Sequence, residues 1–264
     1  MITGLDHIVI LSGPLAGETA RYERLGFTVI PGGSHPSWGT ENTLIPLGDG
    51  TYLELLAIRH GETTTHRLWR HPDGSMRRPG EFSAFALAAA DLDRTVAHLR
   101  ASGIAFSEVQ PGARLRPDGQ RVEWKLAFPD RQDLPFLIED VTARATRVPP
   151  PGAETMNAAA GLARVSVFSS RPDAARVYAA VLDTFPAVGD GGMDEGIVFP
   201  VGSGEIIVRP AGGAAFAEGI SAITLRLPER HCAALPLVEM GGERVIAPDA
   251  AGGLRIAVLV GELP

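Results

Sequence analysis

The chain has 264 residues, 45% hydrophobic and 21% charged, which fits one large or two ordinary globular domains with a core that needs no disulfide or structural metal. A net charge of −7 argues against nucleic acid as a main partner, since phosphate binding needs a concentrated basic face. Cys232 is the single cysteine, the N-terminus lacks the basic and apolar regions of a signal sequence, and no apolar run approaches the roughly 20 residues of a membrane span. A cytoplasmic protein without membrane contact is expected. The arginines of residues 67–78 are interrupted by acidic and polar positions and read as a solvated loop.

In chain order, the β-branched run at 8–11 predicts a buried strand ended by Ser12-Gly13-Pro14. Residues 15–25 read as a helix closed by Gly26, 27–30 as a strand stopped by Pro31-Gly32-Gly33, and 42–47 and 52–58 as strands around the Gly48-Asp49-Gly50 turn. The order returns with a strand at 82–88, a helix opened by Asp91 and closed by Ser102-Gly103, and strands at 105–109, 121–128 and 135–140. A Pro- and Ala-rich stretch from Val148 to Ala160 is the best linker candidate. Beyond it lie a strand at 162–168, a helix at 173–182, and strands at 195–200 and 205–208. A fourth, shorter unit has a strand at 220–227, a helix at 229–240 interrupted by Pro236, and a strand at 254–260. Four approximate repeats make repetition the first question about the fold. The expected division is 1–141, a linker at 142–160, and 161–264.

The segments LDHIVI, then LGF, then GTENTLIPLGDGTYLELLAI resemble a glyoxalase-like module of the vicinal oxygen chelate superfamily, which includes glyoxalase I, fosfomycin- and bleomycin-resistance proteins and extradiol dioxygenases. Gly32-Gly33-Ser34-His35-Pro36-Ser37-Trp38-Gly39-Thr40-Glu41-Asn42 is similar to a stretch found in the first module of one glyoxalase-like group. The likeness covers roughly residues 1–140. It implies an α+β fold of tandem βαβββ modules, paired into two cup-shaped mixed sheets. It also implies a divalent metal (Zn, Ni, Mn or Fe) held by residues of the first and last strands of each module. His7 and Glu54 occupy those places in the first module. In the second, Ser83 is a poor ligand and Glu139 stands on the last strand.

Glu54 also has a rationale of its own. It lies among Tyr52, Leu53, Leu55, Leu56 and Ile58, and a carboxylate in so apolar a strand is costly to bury without a cation or donor. A metal is one such partner and an arginine another; His7 could equally pack at a strand start. By strand alternation Asp6 should face away from His7, toward solvent or a turn. The resulting expectation is a site with metal ligands His7, Glu54 and Glu139, catalytic carboxylates Glu54 and Glu139, and a loop of His35, Trp38 and Asn42 that orients a small oxygenated substrate. His60, His66 and His71 read as loop histidines exposed to solvent.

In the back half Arg164 stands where a histidine would be needed and no acid matches on the last strand. That half is expected to be metal-free, a scaffold or dimer surface, with Arg164 a candidate for gripping an anion. Two functions compete: metal-assisted lyase, isomerase or dioxygenase chemistry, and metal-free binding of a small molecule as in the bleomycin-resistance branch. A third reading is a regulatory or structural domain. A homodimer is left open.

Overall fold

The computed structural model describes residues 1–71, 73–188, 196–211 and 218–263. Its architecture is α+β, with two eight-stranded sheets built from four βαβββ units. The first unit is β1 (Ile2–Leu11), α1 (Leu15–Arg24), β2 (Ile30–His35), β3 (Thr40–Pro46) and β4 (Tyr52–Ile58). The second is β5 (Phe82–Ala89), α2 (Leu92–Ala101), β6 (Gln110–Leu115), β7 (Arg121–Ala127) and β8 (Phe136–Asp140). In each unit the last strand returns parallel to the first, and β1 and β5 run antiparallel beside one another. The strands close into a barrel in the order β1-β4-β3-β2-β6-β7-β8-β5.

Alternation sorts the side chains of this barrel. Ile8 and Ile10 of β1, Leu53 and Leu55 of β4, and Leu137 of β8 point outward into a large core with the helices. Val9 and Leu11, Leu56, Phe136 and Ile138 point inward into a second, separate cluster. The outer cluster continues without a break into the back half through Val165, Val167, Ile206, Ile223 and Leu225. Both sheets therefore share one apolar core.

Two short helices, α3 (Arg144–Arg147) and α4 (Met156–Ala159), lead to the back half. Its units are β9 (Gly161–Ser169), α5 (Ala174–Leu182), β10 (Ala187–Val188), β11 (Ile197–Val201) and β12 (Gly204–Pro210), then β13 (Gly219–Leu227), α6 (Glu229–Cys232), β14 (Leu237–Met240), β15 (Glu243–Ile246) and β16 (Ile256–Val260). The sheet order is β10-β11-β12-β9-β13-β16-β15-β14, open at both ends among the described residues. No described helix is long and apolar enough to cross a membrane.

Three expectations are corrected. Pro31-Gly32-Gly33 does not stop a strand: β2 starts at Ile30 and runs through it, with a bulge between Pro31 and Gly33. Gly33 has φ 138°, and a Cβ there would stand 2.2 Å from the Leu115 carbonyl oxygen, so this glycine is what lets β2 approach β6 and close the barrel. β6 lies at Gln110–Leu115 rather than 105–109, where only an isolated Phe106–Pro129 bridge forms. The fourth unit's helix stops at Cys232, and the chain beyond Pro236 forms the β14–β15 hairpin around Gly241 and Gly242, both at positive φ. That hairpin makes the unit a full βαβββ. The expected strand at 195–200 appears as β11; Glu195 lies outside the described residues.

Residues 142–160 are packed rather than a free spacer. Asn157 is fully buried; it accepts from the Thr28 N–H and donates to the carbonyls of Thr28 and Pro46. Arg147 is 1% exposed.

Candidate ligand cup

The barrel interior opens into a pocket lined by side chains of both front units. Its two walls differ. The first unit supplies a polar wall: His7, His35, Asn42, Tyr52 and Glu54. The second supplies an apolar one: Trp124, Leu126, Phe128, Phe136 and Ile138. Arg114 and Arg147 also border the space.

His7 and Glu54 converge, with His7 Nε2 3.5 Å from Glu54 Oε2. The parallel register brings them together, because β1 pairs His7 with Tyr52 and leaves Glu54 two positions along the same inward face of β4. Each group is fixed from behind. Asn42 Nδ2 donates to Glu54 Oε1 at 2.6 Å. His7 Nδ1 lies 2.5 Å from Asp6 Oδ1, and its ring stacks on Tyr52 at 4.5 Å.

Asp6 is the first correction in the site: it is buried, not solvent-facing. The register of β1 against β5 shifts between Leu5 and His7, and this bulge breaks the alternation that would have turned Asp6 away. Arg147 grips both its oxygens, Nη2 to Oδ2 at 2.9 Å and Nη1 to Oδ1 at 3.1 Å, and Arg144 adds a further contact. Burial alone would raise the pKa of the Asp6 carboxyl. Arg147, the His7 hydrogen bond and Arg144 outweigh burial and hold it well below the usual carboxylate range. An ionised Asp6 only accepts, so Nδ1 of His7 carries a proton toward it and Nε2 faces the cup. Arg147 also donates to Tyr52 Oη at 2.8 Å and pairs with Asp140 at 2.5 Å.

The expected loop residues do line the cup. His35 Nδ1 lies 3.1 Å from Thr40 Oγ1, and its ring sits between Trp38 and Trp124, with centroids 5.6 and 6.0 Å away. Burial pushes its pKa down to about 4, so it is neutral at pH 7. His66, expected in solvent, is instead half-buried against Trp38 and Phe128, and burial lowers its pKa to about 4.

Glu139 does not join the cup. Phe136 and Ile138 are inward on β8, so alternation turns Glu139 out to the helix face. There it accepts from the Leu92 N–H at 2.7 Å and lies 3.7 Å from Lys125. It stands there with Asp91 and Asp93, and Lys125 Nζ lies 2.7 Å from Asp93. Ser83 spends its hydroxyl on the Leu68 carbonyl at 2.5 Å. Among the described residues no third His, Cys, Asp or Glu brings a donor atom within 4.8 Å of both His7 and Glu54. Catalytic zinc takes three protein ligands; of His, Cys, Asp and Glu the cup offers only the His7–Glu54 pair among the described residues, which does not make that set.

Sequence reasoning missed Asp6, Arg147, Arg114 and Trp124. Arg114 lies on β6, where the correct strand placement would have shown it inward; Trp124 lies on β7, a strand the sequence placed correctly, and alternation along it was not followed. Arg147 lies past the barrel in the segment read as a linker, and no local pattern marks it.

In the back half, Arg164 is not free to take an anion. Its Nε pairs with Glu205 at 2.7 Å, and Glu243 lies 3.7 Å away. Glu205 sits opposite Arg164 in register, so the place of a His–Tyr pair in the front cup holds an ion pair here.

The profile of the glyoxalase-like domain matches residues 5–182, about two-thirds of the sequence. The chain belongs to this glyoxalase-like domain family. It is therefore a member of the vicinal oxygen chelate superfamily, as the four-unit architecture also indicates. Among solved structures, this glyoxalase-like chain is similar to a hypothetical protein from Staphylococcus aureus, with TM-score 0.71, 14% identity, 97% of this chain and 99% of that one covered. It is also similar to a catechol 2,3-dioxygenase, with TM-score 0.58, 13% identity, and 100% and 89% coverage. At these identities the likeness is one of fold. No curated protein matches the sequence.

Proposed function

We propose that the front cup binds a small, flat, mainly apolar molecule that presents a hydroxyl or N–H to the His7–Glu54 pair, and that it does so without a resident metal. The observation that carries this reading is the 3.5 Å approach of His7 Nε2 to Glu54 Oε2 when the far side of each group is already engaged by Asp6 and Asn42. Two acceptors then face one point, and a ligand donor placed there satisfies both. The ring-lined wall of the second unit supplies the apolar complement. A ligand with an acidic hydroxyl can pass its proton to His7 Nε2, where the resulting imidazolium is stabilised by Asp6 on one side and Glu54 on the other.

The test uses phenol as probe and the fluorescence of Trp38 and Trp124, which line the cup. Phenol should quench the wild type. H7A and E54A, folded by circular dichroism, should each weaken its binding by roughly tenfold, the scale of one lost hydrogen bond to a charged or buried group. Metal content of protein purified without added ions is measured alongside. Near-stoichiometric divalent metal that disappears in H7A and E54A would overturn the metal-free reading.

A further inference from the structure

Arg114 on β6 is the cation the cup leaves unmatched. It is 3% exposed, yet no carboxylate among the described residues lies within the 4 Å of an ion pair. Its one hydrogen bond runs from Nη2 to the Arg147 carbonyl, and its Nε is buried with no partner. The contrast with Arg147 is direct: that guanidinium is equally buried but holds Asp6, Asp140 and Tyr52. A buried guanidinium with five donors and one acceptor is costly unless an anion joins it. Glu54 is the nearest balancing charge in the cup, but it acts on Arg114 only at a distance, and its carboxylate is bound to Asn42 and aimed at His7. On the same strand, Gly112 lies two positions before Arg114, opposite Trp124, whose indole would meet a Cβ there at 2.2 Å. The indole lies over that gap and leaves Arg114 as the only long side chain that β6 sends to the cup.

We infer that the ligand of the front cup is an anion, a small carboxylate whose oxygens pair with Nε and the free N–H groups of Arg114 while a separate hydroxyl reaches His7 and Glu54. This rests on the binding role proposed above for the cup and narrows it to hydroxylated carboxylic acids. Arg114 acts here as a specificity determinant; the planar fork of a guanidinium matches a carboxylate with two parallel hydrogen bonds.

The experiment compares 4-hydroxybenzoate with 4-hydroxybenzamide, which keep the ring and the hydroxyl and differ in charge. Binding is read by quenching of Trp38 and Trp124 in the wild type, R114M and R114K. The wild type should prefer the carboxylate by about tenfold or more. R114M should bind both probes alike, and R114K should keep part of the preference. A purely structural arginine would weaken both probes equally and leave their ratio unchanged, and that result overturns the assignment. Equal affinity of the two probes in the wild type also overturns it; this comparison stands even if a variant fails to fold. In both cases binding that still depends on His7 leaves the cup reading intact. Failure of both probes to bind the wild type sinks the cup reading and this inference together.

Discussion

Asp6 carries more of the site than its place beside His7 suggests. It fixes the tautomer of His7, and it is the counter-ion of a fully buried arginine. D6N leaves Arg147 with Asp140 alone on its carboxylate side, so it should destabilise the protein by about 3 kcal/mol or more, read by urea unfolding at pH 7. The pH dependence has two parts of known sign. His35 and His66 have folded pKa values near 4, below their unfolded value of about 6.5. The unfolded chain therefore binds protons first as pH falls, and stability should drop from about pH 6.5 down to about 4. His35 alone contributes on the order of 3 kcal/mol to that fall. Asp6 acts lower: its folded pKa is depressed, so its stabilisation is present above about pH 4 and is lost below that as pH falls through the folded pKa. Unfolding free energies measured across pH 3 to 8 should show H35Q flattening the upper window and D6N the lower one. A profile in H35Q that matches the wild type would contradict the buried neutral imidazole.

At the scale of the element, alternation decided what could be read in advance. The runs of β1 and β4 and the turn at Gly48 are explicit in the sequence, and they bring His7 and Glu54 to the same cup. The same rule, applied from Phe136, would have excluded Glu139. Asp6 escaped the rule because a bulge, which has no local signature, resets the count. The sequence Pro31-Gly32-Gly33 looked like a stop because proline and glycine usually end strands. Here the proline sits at a bulge and Gly33 at the closure of the barrel, and only the approach of Leu115, some 80 residues away, distinguishes the cases. The loss of β6 followed from the same ambiguity. Gly33→Ala should therefore cost about 3 kcal/mol or more, because it combines positive φ with a backbone clash. Gly50→Ala, also at positive φ but in open space, should cost only about 1 kcal/mol. Chemical denaturation of the two variants compares them directly. Near-equal costs would mean that β2 can move away from β6 without loss.

At the scale of the whole molecule, the Pro-rich stretch runs between two sheets that pack together. The outer face of the barrel and the back sheet bury one another's apolar residues in a single core. Asp133 stitches the halves as well: Arg131 binds it, Ser169 donates to it at 2.6 Å, and the same Arg131 reaches Asp173 at 2.9 Å. Arg144, Arg147 and Asn157, all beyond residue 141, complete the front barrel from outside it. Two consequences can be measured. All three tryptophans, Trp38, Trp69 and Trp124, lie in the front half, so fluorescence follows that half while far-UV circular dichroism follows both. A shared core makes the two transitions coincide in urea. A chain cut after residue 141 would lose the arginines that neutralise Asp6 and expose the outer faces of β1, β4 and β5. It should lack a cooperative fluorescence transition and should not bind phenol. If 1–141 instead unfolds cooperatively with native-like fluorescence, the front barrel is self-sufficient, and the packed segment at 142–160 is a tether rather than part of the site.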